Sequence, residues 1–303
     1  MKKIYLVLLF CVLSVGGYAQ TAASYSFSRS SGTYSSIVGG LGTISISSGG
    51  LISDDGVTTG VPIGFTFNFC GTNYTTLAAN ANGYLSLAGA TISGNPDYVN
   101  QESSLPFISG GTGLLMPFWR NLYGVNKVAY YQTSGTAGSQ VFTFEYVDWS
   151  RCCTPTDASL NFQVKLYEGT NRVEFRYSTS SGLVPTTATI GICNSTTDFQ
   201  TLPLATSTST NSSFNTSCSL PADGTILQFC PPAAAITGNA PVCEGSTIIL
   251  SDAVTGGTWT SSDPSTAAVD GVTGVVTGVN AGNAVITYMT LCGATVTTVV
   301  TVN

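Results

Sequence analysis

Apolar and polar residues alternate along most of this chain with a period of two. In one clear run, Ile63, Phe65, Phe67 and Phe69 occupy every second position, with other residues between them. No stretch of about 12 residues has a convincing helical period of 3.6. Because successive side chains of a strand point to opposite faces of its sheet, the pattern predicts half-buried β-strands. We therefore predict an all-β fold built of antiparallel β-sandwiches.

Two neighbouring runs predict a β-hairpin with a defined register. Residues 160–166 and 173–177 each alternate, and residues 168–171 between them (EGTN) are typical of a turn. A slip by one residue would turn every aromatic side chain of the pair towards water, so the pattern fixes the pairing. We expect one pair to be an exposed ion pair worth about 0.2–1 kcal/mol. The predicted pairs are Leu166 with Val173, Val164 with Phe175, Phe162 with Tyr177 and, on the solvent face, Lys165 with Glu174.

The first residues predict a secretory signal peptide over residues 1–19. Two lysines give it a positive start, residues 4–15 are apolar, and Gly17 and Ala19 place small side chains before a cleavage site. The apolar run is too short to span the roughly 30 Å hydrocarbon core of a bilayer. We therefore expect export with cleavage near Ala19, a secreted or cell-surface location and no membrane insertion.

Charge and composition exclude several classes of function. The chain carries 9 Lys and Arg against 15 Asp and Glu and has no histidine. Removal of the signal peptide takes two lysines, leaving 7 basic and 15 acidic residues and a net charge of −8. Nucleic acid and anionic membranes both need a cationic surface, so we expect neither as a partner. Without histidine there is no Ser-His-Asp or Cys-His catalysis and no His-ligated zinc, and we predict no metal and no cofactor.

A change in composition predicts two domains after the signal peptide. Residues 231–235 (PPAAA) separate two patterned regions and predict a linker. The last basic residue is Arg176, so the region after the linker carries only acidic charge. We expect a larger β-sandwich over residues 20–230 and a small one over residues 236–303.

The first region resembles a nidogen-like extracellular domain from about residue 54 to residue 230. The resemblance is carried by the order and spacing of short runs, above all residues 61–71 (VPIGFTFNFCG), 82–87 (NGYLSL) and 116–122 (MPFWRNL). It implies a β-sandwich of a cell-surface or matrix protein. Asn121 stands where the family pattern usually has an acid, so no contact of that acid is carried over to this chain.

The second region, from about residue 236 to residue 303, resembles a bacterial Ig-like domain of group 2. The resemblance is carried by residues 259–264 (WTSSDP), 274–278 (GVVTG) and 281–288 (AGNAVITY). It implies a small Ig-like sandwich with Trp259 as the large side chain of its core.

Eight cysteines remain after the signal peptide, and an even number in an exported chain favours disulfides. Cys243 precedes the first predicted strand of the Ig-like region and Cys292 follows Tyr288 by four residues, so we predict one bridge between Cys243 and Cys292. In the chain-entropy model a loop of about 50 residues stabilises by at most ~4 kcal/mol. A metal site is disfavoured, since there is no C-x-x-C pair and no histidine. The other six, whose pairing the sequence leaves open, are Cys70, Cys152, Cys153, Cys193, Cys218 and Cys230.

Catalysis by a pair of carboxylates remains possible without histidine, because glycoside hydrolysis needs only two carboxyl groups. Glu145 and Asp148 are the candidates, but they have opposite parity along one strand and face one cleft only if that strand has a bulge. Calcium takes six to eight oxygen ligands, so the adjacent Asp54 and Asp55 are more typical of a solvated turn, and calcium there is left open. We predict that the protein is not an enzyme.

Aromatic side chains provide the candidate contacts with a partner. We predict that Trp149, which ends a predicted strand, is exposed beside Arg151. Trp119 and Phe118 would suit sugar stacking, but a tryptophan in the run Met-Pro-Phe-Trp is more often buried, so we place both in the core.

These patterns predict a secreted adhesion or structural protein of the bacterial cell surface or matrix, without catalytic activity. Its partner would be an extracellular protein or a polysaccharide. The alternative is a carbohydrate-active protein, either a polysaccharide-binding module or a two-carboxylate glycoside hydrolase. The sequence stops at Asn303 directly after a predicted strand, so we expect either a released chain or a fragment of an array with further Ig-like modules.

Overall fold

The computed structural model describes residues 20–46, 56–88, 113–123, 125, 127–151, 159–178, 188–195, 198–202 and 220–303. The signal peptide, Asp54 and Asp55, and the cysteines Cys152, Cys153 and Cys218 lie outside these residues. Regular structure in the described part is β-strand, apart from a 3-10 turn at Ala22–Ser24. The prediction of an all-β fold is confirmed. None of the described segments forms a helix with the length and hydrophobicity that crossing a membrane needs.

Fourteen strands of the described chain build a larger sandwich of two antiparallel sheets. One sheet has the order β1-β14-β11-β10-β9-β8-β2, with β7 paired to β9, and the other has the order β13-β12-β6-β5-β4-β3. The strands are β1 (Ser26–Ser31), β2 (Ile44–Ile46), β3 (Val57–Phe69), β4 (Thr72–Asn80), β5 (Tyr84–Ser86), β6 (Leu114–Trp119), β7 (Leu122–Tyr123), β8 (Val128–Ser134), β9 (Val141–Arg151), β10 (Leu160–Tyr167), β11 (Val173–Tyr177), β12 (Thr189–Ser195), β13 (Asp198–Thr201) and β14 (Thr225–Cys230).

Aromatic side chains fill the space between these two sheets. Phe67 of one sheet and Phe144 of the other are both fully buried in the same cluster, as the period-two pattern predicts. A second buried cluster contains Tyr84 and Trp119, whose ring centroids lie 5.4 Å apart. Trp119 and Phe118 are 0% exposed, so their predicted burial is confirmed.

The predicted hairpin register is confirmed at every pair. In β10 and β11, Leu166 pairs with Val173, Val164 with Phe175, Phe162 with Tyr177 and Lys165 with Glu174. The expectation of an exposed ion pair is wrong, because Glu174 is 1% exposed and forms its ion pairs with Arg172 and Arg176.

A segment near the N-terminus covers part of the polar face of the larger sheet. We define the covering segment as residues 32–43. The Gln163 amide donates a hydrogen bond to the carbonyl of Ser35 (2.8 Å), and the Gln132 amide donates to that of Leu41 (2.6 Å). The face that the alternation assigns to solvent is therefore partly enclosed, and the segment accepts hydrogen bonds from two of its amide side chains.

Residues after the larger sandwich form two further antiparallel sheets with a core of their own. The sheet orders are β15-β18-β17 and β16-β19-β20, and the core contains Trp259, Ile286 and Tyr288. The expectation that Trp259 is a core residue is confirmed, since it is 6% exposed. The strands are β15 (Thr247–Ile249), β16 (Thr258–Ser261), β17 (Ala267–Val269), β18 (Val275–Gly278), β19 (Gly282–Met289) and β20 (Thr295–Val302).

Three contacts join these C-terminal sheets to the residues before them. Cys230, at the end of β14, is disulfide-bonded to Cys292 in the turn between β19 and β20. The amide of Thr255 donates to the carbonyl of Gly169 in the β10–β11 turn (3.1 Å). In addition, the amide of Ala234 donates to the carboxylate of Asp252 (3.3 Å). The C-terminal sheets are therefore connected to the preceding residues by one disulfide and by at least two hydrogen bonds.

Candidate functional site

Glu145, one of the two candidate catalytic acids, is buried beneath the covering segment. It is 1% exposed and lies on the outward side of β9. One carboxylate oxygen accepts a hydrogen bond from the Tyr34 hydroxyl (2.7 Å), and the other accepts from the Ser36 hydroxyl (3.1 Å) and the Ile37 amide (2.8 Å). Both oxygens are thus engaged in holding the segment on the sheet.

Glu174, two strands away, is engaged in the same manner. Its carboxylate accepts hydrogen bonds from Arg176, from the Tyr167 hydroxyl (3.1 Å) and from the Gln228 amide (2.9 Å), while Arg172 lies 3.7 Å away. Burial alone would raise the pKa of Glu174, but the hydrogen bonds from Arg176 and Gln228 and the two arginine charges outweigh it. The pKa is therefore held below that of an ordinary glutamate.

Asp148 does not share a site with Glu145. Its side chain is 59% exposed and forms an ion pair with Lys127 at 3.0 Å. A general acid and its partner carboxylate must flank one bond of the substrate, and these two carboxylates have separate surroundings. Although the strand has a bulge at Asp148, Glu145 is buried and Asp148 is exposed to solvent.

The prediction that Trp149 is an exposed contact is wrong, because Trp149 is 0% exposed. The register between β9 and β10 shifts between Leu160 and Phe162, which face Trp149 and Tyr146, so β9 carries one extra residue. Asp148 takes up this bulge with a positive φ of 60°. The bulge returns Trp149 to the core face, where Tyr146 also lies. The side chain of Arg151, the other predicted contact, is outside the described part.

Trp149 helps to hold a buried turn at residues 80–84. Its indole N–H donates to the carbonyl of Ala81 (2.8 Å), and the Tyr146 hydroxyl lies 2.9 Å from the carbonyl of Asn80. Gly83 has a positive φ of 78°, and a Cβ there would lie 2.3 Å from the carbonyl oxygen of Phe118. The run NGYLSL thus has a structural role in this turn.

The predicted disulfide between Cys243 and Cys292 is wrong. Cys292 bonds to Cys230, and Cys243 is a free, exposed thiol. Cys243 follows Val242, which bridges to Val302 at the end of β20, whereas Cys292 lies just before the start of that strand. The eight residues of β20 span about 23 Å, far beyond the Cα separation of a disulfide.

Cys70, predicted to be disulfide-bonded with its pairing left open, is a free thiol. Cys70 lies in the tight turn between β3 and β4 with a positive φ of 51°, and its amide donates to the Tyr25 hydroxyl (3.3 Å). Cys193 is buried, its thiol donates to the carbonyl of Ser195 (3.1 Å), and burial raises its pKa to about 12. A thiol with such a raised pKa is a poor nucleophile at neutral pH.

A cavity of about 150 Å³ lies at one end of the C-terminal sheets. Asp252, Thr255 and Gly257 line it from the loop between β15 and β16, Thr273 lines it from the β17–β18 turn, and the rings of two core residues complete it. Those rings belong to Trp259 and Tyr288, with centroids 4.5 Å apart. The Tyr288 hydroxyl donates to the carbonyl of Val254 (2.6 Å) and accepts from the amide of Gly257 (2.8 Å), which fixes the phenol.

Asp252 is the charged residue of this cavity. It is 9% exposed, and one carboxylate oxygen accepts hydrogen bonds from the amides of Val254 (2.8 Å) and Ala234 (3.3 Å). The other oxygen, Oδ2, has no hydrogen-bond partner in the described chain. Burial raises the pKa of Asp252, and the two amide hydrogen bonds offset only part of that effect.

Sequence reasoning did not single out Asp252. The sequence gives only an indirect signal for Asp252. Because no Lys or Arg follows Arg176, an acid that is buried in the last region has no basic residue of that region to pair with. The described residues contain no group of three or more Cys, Asp or Glu placed to hold a metal ion. The cavity is therefore lined by one carboxylate and two aromatic rings, and these groups can contact a bound ligand.

Comparison with known proteins gives one family. Residues 24–231 match the family model described as NIDO related. The match begins 30 residues before the resemblance at residue 54, which is consistent with the pairing of β1 to β14 along its whole length. Among curated proteins none matches the chain.

One solved structure is similar, the C-terminal 282-residue fragment of intimin in complex with the intimin-binding domain of the translocated intimin receptor. The identity is 14% over 57% of this chain, and the TM-score is 0.22. The match covers 63% of that fragment, which is less than two thirds of its length.

Proposed function

Because this chain belongs to the NIDO-related family, we propose that it is an extracellular adhesion or structural protein, which binds a partner without transforming it. The family match over residues 24–231 is the observation that carries this proposal. Nidogen-like domains are associated with cell adhesion and the cell surface, and the inference from family to function is one of analogy.

The chemistry of the described residues supports binding over catalysis. The chain has no histidine, and the carboxylates of Glu145 and Glu174 are occupied by hydrogen bonds within the fold. Asp252 is the one acidic residue among those that line the C-terminal cavity.

The proposed organisation keeps the boundaries that the composition indicates. The larger domain comprises residues 20–230, residues 231–235 are the linker, and residues 236–303 are an Ig-like module that acts as a spacer or adhesion unit. We also propose that residues 1–19 direct export. N-terminal sequencing of the protein from the culture medium or cell surface is expected to begin at Gln20. Retention inside the cell with residues 1–19 still attached would contradict export.

Binding is tested with the chain from residue 20 to residue 303, immobilised on a sensor surface. Extracellular matrix proteins and cell-wall polysaccharides are passed over it separately, and an unrelated β protein of similar net charge serves as the control. The proposal expects saturable binding of at least one of them and its release unchanged in mass. Shortened polysaccharide chains in the eluate would instead support a hydrolase, and equal binding to the control protein would contradict adhesion.

A further inference from the structure

The cavity at Asp252 has a feature that adhesion does not explain. The residue Asp252 is 9% exposed, and its buried Oδ2 has no hydrogen-bond partner in the described chain. A buried polar atom without a partner is rare and costs free energy comparable to a lost hydrogen bond. We propose that this cavity binds an organic cation through an alkylammonium group, with Asp252 as its acceptor. The proposal goes beyond the proposed function and does not depend on it.

The charge of Asp252 is not compensated from within the fold. Its two hydrogen bonds come from backbone amides, and both reach the same oxygen, Oδ1. No basic residue follows Arg176 in the sequence, and no ion pair of Asp252 occurs in the described part of the chain. By contrast, the buried Glu174 has arginine beside it, and the buried Glu145 accepts hydrogen bonds at both of its carboxylate oxygens. The missing positive charge at Asp252 therefore defines what the ligand has to supply.

The aromatic residues of the cavity favour an ammonium group over a neutral donor. Trp259 and Tyr288 both line the cavity, with ring centroids 4.5 Å apart. A cation close to an aromatic face is attracted by the ring quadrupole, and tryptophan gives the strongest such contact. The carboxylate of Asp252 and the rings of Trp259 and Tyr288 thus both favour a cationic ligand.

The size and ligand set of the cavity disfavour a bare metal ion. At about 150 Å³ it matches cavities that accept a molecule of the size of benzene. Calcium takes six to eight oxygen ligands, and the cavity supplies a single carboxylate. An alkylammonium group with three or four carbons fits this space and brings its charge and N–H donors beside Asp252, which lines the cavity.

The test follows the indole N–H resonances of the whole chain by ¹⁵N NMR during titration with n-butylammonium chloride. The protein has 3 tryptophans, and Trp119 and Trp149 are fully buried elsewhere, so they serve as internal controls. We expect the Trp259 resonance to shift saturably while the other two stay fixed. Parallel titrations use n-butanol, sodium chloride and calcium chloride. A fifth titration uses an acetylated and amidated Gly-Lys-Gly peptide, which reports whether a lysine side chain can reach the site.

The isosteric variant Asp252→Asn keeps an acceptor for the two amides and removes the charge. We expect it to bind butylammonium at least about tenfold more weakly, as for loss of a charged hydrogen bond. Glu244→Gln, an exposed acid of the same region that does not line the cavity, is the matched control and keeps the parent affinity. A second variant, Val272→Lys, supplies a cation at the exposed rim and should weaken binding of the added amine.

Several results would overturn the proposal. Butanol shifting Trp259 as strongly as butylammonium would identify an apolar cavity, and a larger response to calcium would identify a metal site. The absence of a saturable shift, or unchanged affinity in Asp252→Asn, would contradict an ammonium site directly. The comparison of butylammonium with butanol needs no variant, so a failure of Asp252→Asn to fold leaves the test intact. None of these results bears on surface adhesion, which is measured with different partners.

Discussion

Cys230 on β14 is disulfide-bonded to Cys292, which lies 62 residues further along the chain in the turn between β19 and β20. The bond adds a second covalent connection between the larger sandwich and the C-terminal sheets, from Cys230, directly before residues 231–235, to the turn that holds Cys292. Two connections restrict rotation between bodies more than a single flexible connection does. The hydrogen bond from Thr255 to Gly169 adds a contact at the same junction.

Removal of this disulfide should destabilise the C-terminal sheets. For a closed loop of 62 residues the chain-entropy model gives a loss of up to about 4 kcal/mol. We expect the double variant Cys230→Ser, Cys292→Ser to unfold at lower urea concentration than the parent, and the parent to approach it when reduced. The measurement is urea unfolding followed by the fluorescence of Trp259 after conservative replacement of the other two tryptophans.

Cys243→Ser is the matched control for the pairing itself. Cys243 is free and exposed, so its loss should change the unfolding free energy by less than about 0.5 kcal/mol. If Cys243→Ser were as destabilising as Cys292→Ser, the disulfide would instead join Cys243 and Cys292. Mass spectrometry of the unreduced, digested protein gives the same answer independently, through a peptide that contains both Cys230 and Cys292.

Glu174 should stabilise the fold at neutral pH and lose that effect in acid. Its pKa in the folded protein lies below its unfolded value of about 4.3, so its contribution is present above that value and is lost as pH falls through the folded pKa. At pH 7 we expect Glu174→Gln to cost about 2–3 kcal/mol, because it weakens the buried pairs with Arg172 and Arg176. Urea unfolding from pH 7 to pH 2.5 checks this. A deficit that stays constant across the range would contradict the linkage.

Asp252 should have the opposite dependence on pH. Its pKa is raised in the folded protein, so its contribution is present below the unfolded value of about 3.9 and is lost as pH rises through the folded pKa. Asp252→Asn is therefore expected to be more stable than the parent at pH 7 and to match it near pH 3. The comparison uses buffers without amines, and Glu244→Gln is the control. A less stable Asp252→Asn protein at pH 7 would show that the carboxylate is compensated after all.

Gly83 should tolerate no side chain. A Cβ there would lie 2.3 Å from the Phe118 carbonyl oxygen, and φ is +78°, so we expect Gly83→Ala to cost about 3 kcal/mol or more. Gly71 has a similar φ of +83° with open space around it, and Gly71→Ala should cost only about 1 kcal/mol. The two melting temperatures separate steric clash from backbone strain. Equal losses would mean that the close approach at Gly83 is absent.

Tyr34 should hold the covering segment on the sheet. Its hydroxyl donates to the buried carboxylate of Glu145 at 2.7 Å, and Tyr34→Phe should cost about 2 kcal/mol. Hydrogen exchange should quicken at the Ile37 amide, which donates to the same carboxylate, more than in the core strands. Tyr123→Phe is the control, because the Tyr123 hydroxyl makes no hydrogen bond within the described chain. Unchanged exchange at Ile37 would contradict a holding role for Tyr34.

The alternation of apolar and polar residues was sufficient to predict structure where contacts between neighbouring segments determine it. The register of β10 and β11 follows from the alternation of two adjacent runs and the turn between them, and every predicted pair occurs. Burial of Glu174 could not be predicted in that way. Gln228 of β14, which pairs with Glu174 and donates a hydrogen bond to it, lies 54 residues further along the chain and is outside the local pattern.

The remaining errors have the same origin. Parity along β9 assigns Trp149 to one face only if the strand is regular, and the bulge at Asp148 reverses the assignment. The spacing of Cys243 and Cys292 suggests a bridge within one region, whereas the partner of Cys292 comes from the preceding sandwich. Asp252 is one of several acids in the sequence, and only its surroundings in space distinguish it.

The bond between Cys230 and Cys292 also has a mechanical consequence. If tension reaches the C-terminal sheets and pulls them apart, the 62-residue loop cannot lengthen, because its ends are covalently tied. At roughly 3.5 Å per residue, about 200 Å of contour length is withheld from extension. Stretching in an oxidising medium would therefore pass force through a short, nearly inextensible path, and a reductant would release the hidden length in a single step.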